Sequence, residues 1–483
     1  MQFVIKLFPE IIVKSPGVRR HQTKILQDNI RRILKPLDTR IKVRADWEKL
    51  EVEAVEYNQA LRLQIIEKLS CIPGIAKFSE TETHRFDSLE QICDLVVQSF
   101  SDRLAGKTYG VRVRRSGKQS FNSMDAERAV GSALMLQANP AAVDLNNPEI
   151  WVELEIREDR LFILGETWSG LGGFPIGSQD KVISLISGGF DSSVSSFQSI
   201  RRGMLTHFMF FNIGGRAHEI AVRQMVYHLW SNYSSSHTCR YISLPFEEIV
   251  AEISKKAPAN YATVLLKRYM MRCASKIAAM HDIDGIATGE SVGQVSSQTL
   301  ANLRIIDEHA DCLVMRPLIN MDKGDIIDIA RRIGTASMAE KNPEYCGLQA
   351  ERPTTKARRH KVEEFEAFFD PEIEERVIAK AVQMPVSRII EDISTIPVDL
   401  VSVPPAGAII LDVRHPDECL DNELVIKNHS VVAMPFFEIQ NRFSELPQDQ
   451  SYFLYCDRGI ISRLHAELLL EAGWQNIGVY KPS

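Results

Sequence analysis

Two short segments of this 483-residue chain combine residue types that chemistry needs. The first is Ser187-Gly188-Gly189-Phe190-Asp191-Ser192, which follows the apolar run Val182 to Ile186 and precedes the helical run Ser193 to Arg201. Glycines let a backbone approach a phosphate closely, a helix N-terminus aims unpaired amides at it, and serine hydroxyls add donors. In that setting Asp191 is the candidate to orient magnesium or a pyrophosphate. The second is Cys456-Asp457-Arg458-Gly459-Ile460-Ile461-Ser462-Arg463, between the strand-like Ser451 to Tyr455 and a helix with apolar positions Ile461, Leu464 and Leu468. A cysteine at such a junction faces a ring of backbone amides. The helix N-terminus, with Arg458 and Arg463, favours the thiolate, so the loop suits an anionic persulfide.

Further candidates lie between these segments. Lys267 falls in a helical run, Thr288-Gly289-Glu290-Ser291 ends an apolar strand, and Gln298 follows shortly after. Lys323, in the stretch from Arg316, is placed to balance charge developing on phosphates. On composition alone each stays balanced against a solvated lysine or a structural turn. Cys346, in Pro343-Glu344-Tyr345-Cys346-Gly347, has polar, glycine-flanked surroundings and is a candidate reactive thiol. Gly106-Lys107-Thr108 ends like a Walker phosphate loop, but Ser101 stands where the first glycine belongs and a helical stretch precedes it, so the cradle is missing.

These segments need elements to hold them. The texture from Lys181 onward, apolar runs without alternation separated by helical stretches, predicts a parallel sheet covered on both faces. A charged helical segment, Ala357 to Val382, and a Pro-containing link, Ile396 to Pro405, lead into a final βα unit. Upstream, strands at 2 to 7 and 41 to 45 bracket a basic helix in a small α+β unit. A second unit follows, in which Tyr109, Val111 and Val113 alternate with Gly110, Arg112 and Arg114, a strand with one buried and one basic face. The glycine-rich stretch Ser-Gly-Leu-Gly-Gly-Phe-Pro closes it.

Composition narrows the classes. The chain is 45% hydrophobic and 25% charged with a formal charge of −6, so any basic surface is local. Residues 1 to 44 carry eleven basic against three acidic residues, and Pro404 onward six basic against eleven acidic, nets of +8 and −5. No apolar run long enough to span a bilayer and no signal-like start are present, which predicts a cytoplasmic protein without membrane attachment. Eight scattered cysteines without a Cys-x-x-Cys pair exclude a zinc ribbon and predict mostly buried thiols.

The loop Ser187 to Ser192 resembles the PP-loop of ATP pyrophosphatases, which cleave ATP between the α and β phosphates and form an adenylated intermediate. The Cys456 loop, with Ile410-Leu411-Asp412-Val413-Arg414-His415-Pro416-Asp417-Glu418 upstream, resembles a rhodanese domain, although the usual Gly-His-Ile-x-Gly-Ala segment is reduced to Asn428-His429-Ser430-Val431-Val432-Ala433. The basic strand Arg112, Arg114, Arg115 and Lys118 resembles a THUMP domain, an RNA-binding module. In this order the segments resemble the ThiI family of tRNA 4-thiouridine synthetases in its rhodanese-bearing form.

That resemblance implies a multidomain α/β protein: a ferredoxin-like α+β domain over 1–60, a THUMP α/β domain over 61–168, a doubly wound PP-loop domain over 175–385, a linker over 386–403 and a rhodanese α/β domain over 404–483. It implies ATP and magnesium as cofactors, with adenine and ribose contacts at Leu185, Ile186 and Phe210, phosphates on Ser187, Gly188, Gly189, Asp191 and Ser192, and further ATP contacts at Lys267, Gly289 and Gln298. Asp191 would also meet the metal, and Lys323 would be catalytic. Asp457, Arg458, Gly459 and Ser462 would cradle a persulfide on Cys456, received from a cysteine desulfurase. Cys346 would attack it, leaving a Cys346–Cys456 disulfide for a reductant to reopen. Lys107, Arg112, Arg114 and Lys118 would meet tRNA. The family further implies 4-thiouridine at tRNA position 8, sulfur donation to thiamine thiazole through a small carrier protein, and a homodimer. A PP-loop ligase that uses ammonia would instead turn over ATP without RNA. An RNA-binding scaffold with an inactive rhodanese would be indifferent to Cys456→Ala.

Overall fold

The computed structural model describes residues 1–46, 49–55, 58–213, 215–341, 353–390, 398–414, 419, 422–457 and 459–482. Cys346 and Arg458, with the segments 343–347 and 415–418, lie outside the described residues. Two compact units are present, Met1–Ser178 with Arg201–Gly203, and Gln179–Ile200 with Met204–Ser483.

The first unit is built on one sheet of β1 (Gln2–Leu7), β2 (Lys42–Asp46), β3 (Lys49–Glu53), β4 (Ile75–Arg85), β5 (Thr108–Ser116), β6 (Ala142–Val143), β7 (Ile150–Arg157) and β8 (Arg160–Ser169), in the order β2-β3-β1-β4-β8-β7-β5-β6. Alternation decides its faces. Phe3, Ile5 and Leu7 meet Leu26, Ile30, Ile65 and Leu69 of the helices Pro16–Leu34 and Gln59–Ser70 in one core. Tyr109, Val113, Val152, Leu154 and Ile156 meet Ile92, Val96, Phe100 and Val130 in a second. The sheet is strongly curled: Lys49 of β3 bonds Glu155 of β7 although β1, β4 and β8 lie between them, a span of about 19 Å in a flat sheet. Lys6 (3.6 Å) and Arg157 (3.4 Å) complete the shell round this buried carboxylate. Burial pushes Glu155 up, but the three cations outweigh it and hold its carboxyl below the usual value.

The second unit carries two sheets. In one, β9 (Lys181–Leu185), β10 (Leu205–Asn212), β11 (Arg240–Pro245), β12 (Gly285–Ala287), β13 (Leu313–Met315) and β14 (Val382–Pro385) run in the order β13-β12-β9-β10-β11-β14, parallel except for the antiparallel edge strand β14. From β9 the helix Phe190–Arg201 leads to β10 on one side, while β12 lies on the other, and such a reversal opens a crevice at the strands' carboxyl ends. The other sheet, β15 (Asp399–Val401), β16 (Ile409–Asp412), β17 (Ser430–Ala433), β18 (Tyr452–Tyr455) and β19 (Ile477–Tyr480), is parallel in the order β15-β19-β18-β16-β17 and reverses between β16 and β18.

The segment Ala357 to Val382, expected as one helical stretch, forms two helices, Arg359–Glu366 and Ile373–Ala379, and Val382 begins β14. Pro371 cannot continue a helix, and Asp370 turns the chain by accepting Glu372 N at 2.9 Å. Asp399–Val401, placed by the sequence in the connecting link, pairs with β19 as an edge strand.

Candidate functional site

The loop after β9 has the geometry of an anion cradle. Gly188 takes φ +84°, a left-handed conformation that glycine adopts without strain, and the chain then enters the helix Phe190–Arg201. Ser192 closes the loop on itself: its hydroxyl donates to Gly189 O (3.1 Å) and accepts from Ser187 N (3.2 Å). Ser193, Ser195, Ser196 and Ser199 are buried; Ser195 Oγ donates to Thr288 O (2.9 Å) and Ser196 Oγ lies 2.8 Å from Ser184 Oγ. Small hydroxyls therefore let this helix press against β9 and the exit of β12 while remaining hydrogen-bonded. Gly289 lies directly beneath, where an added Cβ would come within 2.6 Å of the Asp191 carbonyl carbon.

Residues far apart in the chain converge here. Lys323, first residue of the helix Lys323–Arg332, places Nζ 2.7 Å from Asp191 Oδ1 and 5.6 Å from the Phe190 ring centre. Lys267 Nζ lies 2.7 Å from Oε1 of Glu290, whose other oxygen accepts from Arg316 Nε (2.8 Å) and Thr288 Oγ1 (3.1 Å). Arg316 in turn holds Asp307 with two bonds of 2.7 and 2.6 Å. Burial pushes Glu290 up, yet Lys267 and Arg316 together hold its carboxyl below the usual range. Phe210 is buried with its ring against His218 (4.9 Å), and His218 Nε2 donates to Ser187 O at 2.9 Å. Ile186 is buried and Leu185 half-buried. Gln298 is buried in the turn Ser296–Gln298, joined to the loop after β12 by Gly293 N to its carbonyl (3.0 Å). Glu290 and Arg316 stand inside motifs visible in the sequence, where nothing distinguishes them from solvated charges; His218 carries no sequence signal.

Cys456 follows β18 and is 6% exposed. Its sulfur accepts from Ser462 N (3.3 Å) and lies 3.4 Å from Ser462 Oγ, while Gly459, at φ +70°, turns the chain into the helix Ile460–Glu471. Among the other thiols, burial pushes those of Cys239 and Cys273 up to about 12, the expected state of a core cysteine. Arg463, expected beside the sulfur, instead bonds Glu467 (2.9 Å), an i,i+4 pairing along its own helix. The guanidinium under this loop belongs to Arg414, 2% exposed. It bonds Asp412 (2.6 Å), Asn422 O (2.9 Å) and Asp457 (3.4 Å), and Tyr455 Oη also donates to Asp457 (2.9 Å). Asp457 is thereby fixed immediately after the cysteine.

In the first unit Lys107, Arg112, Arg114 and Lys118 are all exposed, and Arg112 stacks on Trp151 with its guanidinium carbon 3.6 Å from the ring centre. Lys107 lies in the turn between the helix Leu89–Leu104 and β5. No helix of the described residues is long and apolar enough to cross a membrane.

Four family models match: the ThiI ferredoxin-like domain over residues 2–79, the THUMP domain over 86–164, the thiamine biosynthesis protein ThiI over 177–370, and the rhodanese-like domain over 401–483. Proteins called tRNA sulfurtransferase from Azotobacter vinelandii (45% identical over 485 residues), Pseudomonas aeruginosa (45% over 484) and Saccharophagus degradans (43% over 483) each align over 100% of both chains. A 4-thiouridine synthetase solved as an RNA complex with bound ATP shares the fold at TM-score 0.70, with 24% identity over 80% of this chain and 99% of its own. A Pyrococcus horikoshii protein does so at TM-score 0.54, with 20% identity over 69% of this chain and 100% of its own. With ferredoxin-like, THUMP, PP-loop and rhodanese domains along one chain, and relatives that align from end to end, this chain belongs to the tRNA sulfurtransferase family.

Proposed function

We propose that this chain makes 4-thiouridine at position 8 of tRNA by adenylating the uracil with ATP and replacing the activated oxygen with sulfur carried on Cys456. Uracil C4 bears an amide-like carbonyl whose oxygen leaves poorly, and adenylation turns it into a phosphate leaving group. The observation that carries the reading is the Asp191–Lys323 pair, 2.7 Å apart at the mouth of a glycine loop that opens a helix. There the loop amides hold phosphate oxygens and Lys323 meets charge developing on the leaving pyrophosphate. Leu185, Ile186, Phe210, Lys267, Gly289 and Gln298 complete the nucleotide contacts.

Among the described residues no group of three or more His, Cys, Asp or Glu side chains stands ready for a metal, so a magnesium ion would be shared between Asp191 and the phosphates. When bound, it neutralises phosphate charge. Lys107, Arg112, Arg114 and Lys118 hold the RNA backbone. The solved 4-thiouridine synthetase of this fold carries RNA and ATP, the two ligands that this reading requires.

For sulfur transfer, the Cys456 thiolate takes the terminal sulfur of a cysteine desulfurase persulfide, and the donor leaves as its own thiolate. The resulting persulfide attacks C4 and AMP departs. Cys346 then attacks the Cys456 sulfur, the bond to the uracil-held sulfur breaks, and a Cys346–Cys456 disulfide remains for an external dithiol to reduce. The Ser462 amide steadies an anionic sulfur at Cys456, Gly459 turns the chain around it, and Asp457 and Arg458 are the remaining members of this persulfide loop. The same persulfide also supplies a small carrier protein for thiamine thiazole synthesis. The partition at residues 60, 168, 385 and 403 and a cytoplasmic setting belong to this reading.

The test incubates the protein with unmodified tRNA, magnesium ATP, a cysteine desulfurase and cysteine, and measures thiouridine by mass spectrometry. Thiouridine made by the wild type and lost in Cys456→Ala and Asp191→Ala is the expected result; its retention in Cys456→Ala overturns the persulfide route.

A further inference from the structure

One helix, Gly215–Tyr233, touches much of what the two loops depend on. Near its start His218 donates to Ser187 O in the nucleotide loop (2.9 Å). Farther along, His228 Nε2 donates to Ile333 O (2.8 Å), the cap residue of the helix that begins with Lys323. Arg223 reaches Ile389 O (3.5 Å), where the chain begins its passage toward the third sheet, and the turn Val386–Arg388 packs against the same helix. Between these points Gln224 Nε2 lies 2.7 Å from His465 Nε2.

Both side chains of that last pair are buried, Gln224 at 8% and His465 at 2% exposed. The amide nitrogen only donates, so His465 accepts and is neutral; burial pushes its pKa down to about 3, which keeps it so. His465 lies one helical turn beyond Ser462, whose N–H points at Cys456 Sγ (3.3 Å). A second contact flanks the pair, where the helices Ala336–Lys341 and Phe436–Arg442 pack together. A buried hydrogen bond of this kind selects one geometry, because any sliding breaks it away from water.

We propose that helix Gly215–Tyr233 is a strut holding the cysteine-loop helix against the nucleotide domain, with Gln224 and His465 as the positioning residues that set the persulfide's approach to the activated uridine. Neither residue touches a substrate. Their work falls on the transfer step alone, leaving sulfur loading and adenylation to the separate loops. The inference rests on the persulfide reading above and adds to it a docked geometry.

The experiment uses the full chain, with Cys456 loaded by a cysteine desulfurase and cysteine before a single turnover on tRNA with magnesium ATP. Loading rate, tRNA-dependent pyrophosphate release and thiouridine formation are measured separately. Gln224→Ala and His465→Ala are each expected to slow thiouridine formation about tenfold, the double variant no further, with loading and pyrophosphate release unchanged. Gln224→Met, which keeps the volume but not the donor, repeats the test should an alanine variant fail to fold. Wild-type transfer in either single variant, multiplied losses in the double, or a parallel loss of loading or pyrophosphate release would overturn the proposal. Cys456→Ala is run alongside: full activity there overturns the persulfide reading itself, whereas its inactivity beside wild-type transfer in the Gln224 and His465 variants overturns only the docking.

Discussion

At the mouth of the six-stranded sheet the charged pair Asp191–Lys323 stands partly open, its side chains 25% and 45% exposed, whereas at the mouth of the five-stranded sheet Cys456 is almost enclosed. Both loops leave a parallel strand beside a reversal of strand order and enter a helix. On the proposed reading the first exchanges a soluble phosphate ligand at every turnover, which suits charges that face water until the ligand displaces it. On the same reading the other carries its cargo covalently attached, and enclosure would protect a reactive sulfur while the Ser462 amide steadies its charge. The strand-to-helix junction is thus common to both, and exposure decides which chemistry it suits.

The sharpest way to break this comparison is to disable each loop separately. Asp191→Ala and Cys456→Ala should each cut thiouridine formation by at least about 10³-fold, but only Asp191→Ala should also stop tRNA-dependent pyrophosphate release. Loss of pyrophosphate release in both would mean that the loops do not act separately. Next in size is Gly289→Ala. Its Cβ would fall 2.6 Å from the Asp191 backbone, so the loop must move, and a displacement of that order should cost about 10²-fold in pyrophosphate release while persulfide loading at Cys456 is retained.

A smaller effect is expected at Glu290→Gln, which weakens the partner shared by Lys267 and Arg316. The KM for ATP should rise about tenfold with kcat nearly unchanged, and urea unfolding should show a loss of about 2 kcal/mol, because two half-buried cations then share a neutral amide in place of a carboxylate. Unchanged KM would show that Lys267 does not depend on Glu290 for its placement.

The smallest effect concerns pH. Burial lowers the pKa of His207 to about 4 and of His465 to about 3, from 6.5. Between 6.5 and those values the unfolded chain binds the proton first, so stability is full above pH 6.5 and falls as the pH drops. Each histidine should cost up to about 2 kcal/mol by pH 5. His465→Gln should therefore flatten the fall in Tm between pH 7 and 5, whereas an unchanged slope would place the sensitivity elsewhere.

Much of both loops was legible beforehand because their signals are local. Two glycines before a helical run, and a cysteine between an apolar strand and an amphipathic helix, fix backbone conformation within a few residues. The alternation of Val111 and Val113 with Arg112 and Arg114 likewise follows from a period of two. Serines in the helix after the nucleotide loop were less transparent: a hydroxyl serves equally as a phosphate donor or as a small buried contact, and Ser195 and Ser196 prove to be the latter. Arg463 was legible only as a cation near the cysteine; its pairing with Glu467, and the buried Arg414 that reaches Asp457 from a different segment of the chain, follow from packing and not from the local sequence.

By itself the sequence determined the family, the order of the domains and the local form of each loop, since these depend on residues that are neighbours in the chain. Only the tertiary structure decided which distant groups serve them: Lys323 at Asp191, 132 residues away; Gln224 at His465, 241 residues away; and Lys49 at Glu155 across three intervening strands. Such pairs depend on strand order, sheet curvature and the face that each helix turns inward, and these are set by the packing of whole elements, which no short window of residues encodes.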